Sequence, residues 1–291
     1  MLFRSPETAE SNPFQDKGLL DGSYLQEKAI EEFDVFVQTL TEKGINVIVE
    51  DDTDFPIKPD AVFPNNWISF HVDGTLVIYP MHAPNRRTEI RMDIVECIKK
   101  YWHVQKQIDL SEHAVHNEFL EGTGSIVFDH KNKIAYACAS PRTNEKLFRK
   151  LCDLLNYHPV YFHAFDEACI PVYHTNVMMC IGNGFAVLCK ESITDERERE
   201  MVCSSLSNGG YDLIEISMHQ MKNFAGNMLM LQSKAENQLL VLSERAYQSF
   251  TSSQIERMGS TCELVPVSIP TIETVGGGSA RCMLTEVFFG E

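Results

Sequence analysis

A cysteine near the C-terminus lies where a nucleophile could be presented to a ligand. Cys282 follows a run of three glycines at 276–278 and then Arg281, and an apolar segment at 283–289 comes after it. Glycines let the backbone turn tightly and approach a ligand closely, and the apolar segment is typical of a buried strand. The stretch alone fits a thiol nucleophile and a structural turn beside an ordinary buried cysteine equally well.

An internal repeat favours the nucleophile. Polar, turn-like segments recur at Asn66, Glu121, His174, Asn227 and Cys282, at intervals of 55, 53, 53 and 55 residues by subtraction. Each leads into a strand, a turn and a second strand, and a charged amphipathic segment then follows in the first four. A regular period of this length is typical of a propeller or another repeat array, and chance alignment of loops in an α/β protein is the weaker interpretation. A closed five-fold ring would bring these five positions to one axis.

The elements that must position these residues are helices alternating with strand pairs. Apolar spacing predicts a helix over 23–43, a strand over 45–49 and a helix over 243–258. Asp73-Gly74 between two apolar runs predicts a hairpin. The strand predicted at 283–289 needs a partner, so we expect the two ends of the chain to close the ring together. Since no low-complexity linker divides the chain, residues 1–291 are predicted to form a single domain.

Composition limits the ligand and the compartment. Among 291 residues, 25 Lys and Arg stand against 41 Asp and Glu, for a net charge of −16. So acidic a chain is poorly suited to nucleic acid or an anionic membrane, and a small soluble molecule is the expected partner. Nine cysteines without close pairs indicate a reducing compartment, and the missing zinc motifs predict no metal. With no signal-peptide core and no long apolar run, the chain is predicted to be cytoplasmic.

Several motifs resemble those of a known superfamily. The segments 121–124, 174–176 and 276–282 are similar to the three catalytic motifs of the guanidine-modifying (pentein) superfamily, which includes arginine deiminases, dimethylargininases and amidinotransferases. Segments 60–67 and 85–89 resemble the citrulline hydrolase (citrulline ureidase) branch. The resemblance covers nearly the whole chain. It implies an α/β fold, a five-bladed α/β propeller with pseudo-five-fold repeats around a central site, and chemistry that needs no metal or organic cofactor.

The resemblance also implies catalytic roles. Cys282 would be the nucleophile that attacks a carbon bonded to three heteroatoms, and a free thiol with a pKa of ~8.5 must be activated for this. Arg281 and a protonated His174 could lower that pKa. His174 would protonate the departing amine and then activate water, while Glu121 would either orient His174 or hold a substrate nitrogen. Taken singly, a core histidine and a turn glutamate are the better interpretations, but the matched repeat positions favour catalysis.

Asparagines occupy the expected substrate shell. Deiminases of this superfamily carry carboxylates where this chain has Asn66, with Asn65 beside it, and Asn176. A buried carboxylate facing a neutral group costs several kcal/mol, whereas an asparagine offers both a donor and an acceptor. The asparagines therefore suit a ureido group, although asparagine is also a common turn former. Asn227 is expected to add a further hydrogen bond.

A free amino acid also needs its α-carboxylate bound. Arginine binds carboxylates through a bidentate fork. Arg87 and Arg142, in the loops after the first and second repeats, are the predicted residues. Arg86 is predicted to be a solvated surface charge.

The predicted activity is hydrolysis of L-citrulline to ornithine, carbon dioxide and ammonia through a covalent intermediate on Cys282. An arginine deiminase, a dimethylargininase or an amidinotransferase, each acting on a guanidino group, remains an alternative. A non-catalytic propeller that binds an amino acid is a further one. The predicted partner is citrulline or a related amino acid, and a homo-oligomer is compatible with the sequence.

Overall fold

The computed structural model describes residues 22–53 and 55–288 and has an α/β architecture, as predicted. The helices are α1 (Gly22–Glu42), α2 (Met92–Tyr101), α3 (Gly122–Ser125), α4 (Glu145–Leu155), α5 (Glu196–Asn208), α6 (Met218–Lys222), α7 (Glu244–Ser249) and α8 (Ser252–Gly259). The strands are β1 (Ile68–Phe70), β2 (Thr75–Ile78), β3 (Lys106–Asp109), β4 (Val127–Asp129), β5 (Ile134–Cys138), β6 (His158–Phe162), β7 (Met179–Ile181), β8 (Phe185–Leu188), β9 (Asp212–Glu215), β10 (Leu229–Gln232), β11 (Gln238–Ser243) and β12 (Glu263–Val267).

These strands form four three-stranded sheets of one design. In each sheet the first two strands are antiparallel, and the third lies parallel to the second. A helical connection precedes every third strand, because a parallel pair cannot be joined by a tight turn. The sheets β1-β2-β3, β4-β5-β6, β7-β8-β9 and β10-β11-β12 are therefore four copies of one structural unit.

The first hairpin forms at the predicted Asp73-Gly74 turn. The backbone N–H of Thr75 donates to Asp73 Oδ1 at 3.0 Å, and Gly74 adopts a φ of 76°. Glycine reaches this left-handed conformation without steric cost. The turn therefore sets the register, which pairs Ile68 with Ile78.

Three predicted elements differ from the structure. The helix expected over 243–258 is divided into α7 and α8, because Phe250 and Thr251 are extended and Thr251 starts a new helix with a capping box to Gln254. The residues 45–49 form no strand, and Ile48 and Val49 are exposed. The residues 283–288 form none either, since hydrogen-bonded turns occupy 279–284 and no ladder follows them. Phe289, the last residue of that predicted strand, lies outside the described residues.

The two ends of the described chain nevertheless share one core. Leu25, Ala29, Phe36 and Leu40 form the buried stripe of α1, at the spacing of one helical face. This stripe belongs to the same hydrophobic cluster as Cys282 and the inner residues of β11 and β12. Burial of each large side chain stabilises this cluster by about 1.5–3 kcal/mol. The cluster thus fixes the Cys282 segment against the fourth sheet.

A fifth sheet is not found among residues 22–53 and 55–288, so the five-bladed ring stays a prediction. Of the helices described, none combines the length and the apolar character that a bilayer crossing requires.

Candidate active site

Four of the five recurring positions lie at the turns that enter the repeated units, and the fifth, Cys282, lies in a turn after the last sheet. Asn66 ends a short helical turn before β1, Glu121 precedes α3, and His174 precedes a similar turn before β7. Asn227 comes directly before β10, and Cys282 lies in the turn that begins at 279. All five side chains are buried, with exposed fractions of 0–5%. The local fold therefore presents each of them to the protein interior.

Glu121 is the centre of a buried ionic group. Its Oε2 lies 2.7 Å from His174 Nε2 and 3.1 Å from Arg142 Nη1. Its Oε1 accepts the backbone N–H of His82 at 2.9 Å. Burial alone would raise the pKa of Glu121, but Arg142 and the bond from His174 hold that pKa well below its usual range. Glu121 is therefore a carboxylate that orients His174.

His174 is neutral at neutral pH. Burial lowers the pKa of His174 to about 4, although Glu121 opposes this shift. Since Nε2 donates to Glu121, the Nδ1 atom carries the lone pair and can accept a proton. The imidazolium that was expected to lower the pKa of the thiol in the resting protein is therefore absent, and His174 is poised as a base.

Two asparagines contact the sulfur of Cys282. Asn227 Nδ2 lies 3.3 Å from Sγ, and Asn176 Nδ2 lies 3.6 Å from it. Asn227 Nδ2 also donates to the backbone oxygen of Asn176 at 3.2 Å. The segment that carries His174 and Asn176 therefore touches the Cys282 segment through the Asn176 side chain.

The Arg281 side chain faces away from this arrangement. Its Nη1 donates to the backbone oxygen of Leu284 at 2.9 Å, and its Nη2 lies 3.6 Å from the carboxylate of Glu286. Only the backbone N–H of Arg281 meets the group around the sulfur, where it donates to Asn227 Oδ1. The expected role of the Arg281 guanidinium in lowering the pKa of the thiol is thus not supported by its described contacts.

Several asparagine atoms are buried without a hydrogen-bond partner among the described residues. They are Asn65 Nδ2 and the side-chain oxygens of Asn65, Asn66 and Asn176. Buried polar groups are nearly always hydrogen-bonded in folded proteins. One amide NH2 group and three carbonyl oxygens of these asparagines are therefore available for further hydrogen bonds.

Arg86, Arg87 and Arg142, the arginines considered in the sequence, have different surroundings. Arg86, predicted to be solvated, is buried with Nε and Nη2 at 2.9 and 2.8 Å from Glu89, and Nε lies 3.6 Å from Asp60. Arg86 and Glu89 are three residues apart, and the short helical turn 84–89 brings their side chains together. Arg86 is therefore paired and buried, and the prediction of a solvated charge is wrong. Arg142 pairs with Glu121, and its guanidinium lies over the ring of Tyr173.

Arg87 is partly buried and is anchored through backbone oxygens. Its Nε donates to the oxygen of Met81 at 3.0 Å, and its Nη2 donates to the oxygen of His82 at 3.1 Å. Its guanidinium carbon lies 5.5 Å from the centre of the Phe119 ring. These contacts hold the arginine in place and leave Nη1 out of the described hydrogen bonds.

Two acidic residues of this region were not predicted to take part. Asp60 and Glu89 are 1% and 2% exposed, and both face Arg86. Both lie inside the segments that carried the sequence resemblance, at 60–67 and 85–89. Their partner could not be inferred, because a side chain three residues away in a loop has no fixed direction before the turn is known.

Gly124 fits closely between two of the site residues. A Cβ at this position would lie 2.8 Å from the Nδ1 and Cε1 atoms of His174 and 2.9 Å from Asn66 Oδ1. We expect Gly124→Ala to displace the imidazole and lower kcat by about 100-fold, since misplacement by 1 Å can cost that much. Steady-state kinetics with the substrate test this.

The matched control for Gly124→Ala is Gly259→Ala at the end of α8. There the added Cβ meets only Leu264 Cδ1 at 3.6 Å, an ordinary contact. This variant should keep the full turnover number. A Gly124→Ala protein with unchanged kcat would show that the imidazole does not have to hold this position.

Among the described residues, no group of histidine, cysteine, aspartate or glutamate side chains is arranged to hold a metal ion.

The chain is similar to one known protein family. A family model described as N,N dimethylarginine dimethylhydrolase, eukaryotic, matches residues 1–289. No curated protein sequence matches the chain.

Solved structures share the fold at low sequence identity. The N-terminal domain of ArgZ, a cyanobacterial arginine dihydrolase, was solved as a cysteine-to-serine variant bound to substrate. It superposes with a TM-score of 0.71 at 17% identity, over 91% of this chain and 88% of that one. Unliganded AgrE gives 0.70 at 17% identity, over 89% of this chain and 34% of that one. A dimethylarginine dimethylaminohydrolase adduct with 4-chloro-2-hydroxymethylpyridine gives 0.62 at 16%, over 89% and 90%.

Proposed function

We propose that this chain, which belongs to the eukaryotic N,N-dimethylarginine dimethylhydrolase family, is a cysteine-dependent hydrolase of the ureido group of L-citrulline. The products would be ornithine, carbon dioxide and ammonia. We further propose that residues 1–291 form one five-bladed α/β propeller, in which α1 and the two ends of the chain complete the fifth unit. The shared core of α1 and the Cys282 segment supports this closure.

The unpartnered atoms of the asparagine shell carry the proposal. A ureido group has one carbonyl oxygen and three N–H bonds. The shell offers one amide donor, Asn65 Nδ2, and three carbonyl acceptors, on Asn65, Asn66 and Asn176. A guanidinium has N–H bonds but no acceptor, so it would leave the Asn65 donor buried and unsatisfied. Such a group costs about 1–3 kcal/mol.

The charges around the site favour the same substrate. Six of the buried or partly buried side chains described above are three carboxylates and three guanidinium groups: Asp60, Glu89 and Glu121 against Arg86, Arg87 and Arg142. Burial raises the pKa of Glu89, and its protonation would make the region more positive. Zwitterionic citrulline has no net charge, whereas arginine carries one that would be buried without a counter-ion.

The first half of the reaction forms a covalent intermediate. His174 Nδ1 takes the proton of the Cys282 thiol, and the sulfur forms a bond to the ureido carbon. The imidazolium of His174 then gives its proton to the δ-nitrogen as the carbon–nitrogen bond breaks, which releases ornithine. Glu121 stabilises the imidazolium, because Arg142 keeps this carboxylate ionised. A carbamoyl group remains on Cys282.

The second half is hydrolysis. Neutral His174 takes a proton from water as the water oxygen attacks the carbamoyl carbon. The bond between this carbon and the sulfur of Cys282 then breaks. The proton returns to the thiolate of Cys282. The carbamate that leaves decays to carbon dioxide and ammonia in solution.

We propose that Arg87 and Arg142 bind the α-carboxylate of the substrate. Arg87 is the stronger candidate, because its described hydrogen bonds use Nε and Nη2. Its Nη1 can therefore point to a carboxylate without loss of those bonds. Arg142 is already paired with Glu121, so its positive charge would be shared between Glu121 and the α-carboxylate of the substrate.

Hydrolysis of a guanidino substrate is the second candidate. The family description names dimethylarginine, and the relative ArgZ is described as an arginine dihydrolase. In this case Cys282 would attack the guanidino carbon, and ammonia or dimethylamine would leave. The carbon on the sulfur would stay bound to the δ-nitrogen until water releases citrulline. The charge balance of the site and the Asn65 donor do not favour it.

A substrate panel distinguishes the two candidates. The protein is incubated separately with citrulline, arginine and dimethylarginine, and ornithine, citrulline and ammonia are each assayed. We expect ornithine and ammonia from citrulline and no product from the other two. Citrulline formed from arginine or dimethylarginine would refute the ureido proposal. Binding of an amino acid without any product would instead identify a non-catalytic protein.

A further inference from the structure

Asn227 touches the reacting atom of the site, although sequence comparison of the repeats places it among the substrate-binding residues. We propose that Asn227 is a catalytic residue that acts on the nucleophile, by holding the sulfur of Cys282 as a thiolate through its amide N–H. This role goes beyond the proposed function, because every substrate attacked by Cys282 would require it.

The orientation of the Asn227 amide is determined by two backbone groups. The N–H of Arg281 donates to Asn227 Oδ1 at 3.1 Å, and Asn227 Nδ2 donates to the oxygen of Asn176 at 3.2 Å. A backbone N–H can only donate, and a backbone carbonyl can only accept. Rotation of the amide by half a turn would place donor against donor and acceptor against acceptor. The group that faces the sulfur at 3.3 Å is therefore N–H.

The same amide can serve both protonation states of the thiol. Sγ lies 3.6 Å from Asn227 Oδ1, so the thiol can donate to this oxygen. After ionisation the sulfur accepts from Nδ2, which is closer. Asn227 is 0% exposed, and hydrogen bonds to a charged group strengthen where water is excluded. When the thiol loses its proton, the sulfur no longer donates to Asn227 Oδ1 and instead accepts from Asn227 Nδ2, and the amide does not have to move.

Other sources of positive potential near the sulfur are engaged elsewhere. The Arg281 guanidinium is bound to Leu284 and Glu286, and His174 is neutral at rest. Asn176 Nδ2 adds a second, longer contact at 3.6 Å. Within the described residues, the two amides are therefore the groups that can favour the thiolate directly.

The backbone beside Asn227 also restricts its position. A Cβ on Gly226 would lie 2.4 Å from the backbone oxygen of Val177. Residue 226 therefore packs directly against the segment that carries Asn176. This close approach fixes the positions of Asn176 and Asn227 relative to the sulfur of Cys282.

The test replaces Asn227 with aspartate and measures the alkylation of Cys282 by iodoacetamide as a function of pH, read by mass spectrometry. Asn227→Asp keeps the size and the acceptor for Arg281 N–H but exchanges the donor for a negative oxygen. We expect alkylation at pH 7 to slow by about 10- to 100-fold, the effect of one hydrogen bond to a charged acceptor. The rate should approach that of the wild type at high pH, where the thiol ionises without help.

Two further variants make the test decisive. Asn237→Asp, in the exposed turn between β10 and β11, makes the same charge change and should leave alkylation unaffected. Asn227→Ala removes the donor without adding a charge, and should slow alkylation by about tenfold. It carries the test if Asn227→Asp does not fold.

Two outcomes would overturn the proposal. Wild-type alkylation together with a raised KM would assign Asn227 to the substrate. Slow alkylation that does not recover at high pH, with a lower Tm, would assign it to packing alone. Since alkylation needs no substrate, wild-type alkylation of Asn227→Asp overturns the proposal whatever the substrate panel shows.

Discussion

Replacement of Cys282 by serine is expected to lower citrulline turnover by at least about 10⁴-fold, the size of effect seen when a covalent nucleophile is removed. A hydroxyl ionises far less readily than a thiol, and the two amides at the sulfur cannot compensate for this difference. The serine is close to isosteric and would occupy a side-chain position that is 5% exposed. Ornithine formation under steady-state conditions measures the loss, and mass spectrometry should find no carbamoyl adduct on the variant.

Cys180→Ser is the matched control for this experiment. Cys180 is a buried thiol in β7, and burial raises its pKa to about 12. It is therefore inert at neutral pH, and its replacement should leave turnover nearly unchanged at a modest cost in stability. An equal loss of turnover in both variants would assign the effect to packing. Turnover within tenfold of the wild type for Cys282→Ser would remove Cys282 from the mechanism.

The spacing of the five positions was informative because the first four each mark the start of a repeated unit. A constant interval between Glu121, His174 and Asn227 reflects a constant amount of structure between them, namely two strands, a helical connection and a third strand. The hairpins could be predicted as well, since their turn residues have strong local preferences. The third strands could not, because β3 and β9 each bury a single residue fully and lie at a sheet edge. Their pairing depends on long-range contacts.

The chemistry around the sulfur was less predictable than the identity of its residues. Asn176 and Asn227 were expected to bind the substrate, and both contact Cys282 Sγ. Arg281 was expected to activate the thiol, and its guanidinium is bound to Leu284 and Glu286 instead. Sequence spacing specifies which backbone segments meet. It does not specify the rotamer, and a long side chain such as arginine can reach several partners from one Cα position.

The neutral shell explains why a histidine with a low pKa is suited to this site. A standing imidazolium would stabilise the thiolate but could not accept its proton. Neutral His174 can accept that proton, and the amides of Asn176 and Asn227 provide the stabilisation that a cation would otherwise provide. The bond between Glu121 and His174 becomes an ion pair when the imidazolium forms. Charge is thus created during the reaction in a site that is balanced at rest.

Asn65 Nδ2 is the unsatisfied donor of the asparagine shell. Asn65→Asp would replace Asn65 Nδ2 by a negatively charged oxygen at a position that is 0% exposed. The ureido oxygen, which becomes negative as the sulfur attacks, would then face a carboxylate instead of an N–H. We expect kcat/KM for citrulline to fall by about 10³-fold, because the loss of a single oxyanion donor costs about 10²–10³ and the repulsion adds to it.

Asn144→Asp provides the control. Asn144 caps α4 by accepting the N–H of Leu147, and aspartate caps a helix equally well. This variant should retain its activity. If Asn65→Asp also retained full activity on citrulline, the ureido oxygen would have to bind elsewhere. If instead it lost citrulline hydrolysis and gained activity on arginine, the charge of this one side chain would determine which of the two amino acids the site accepts.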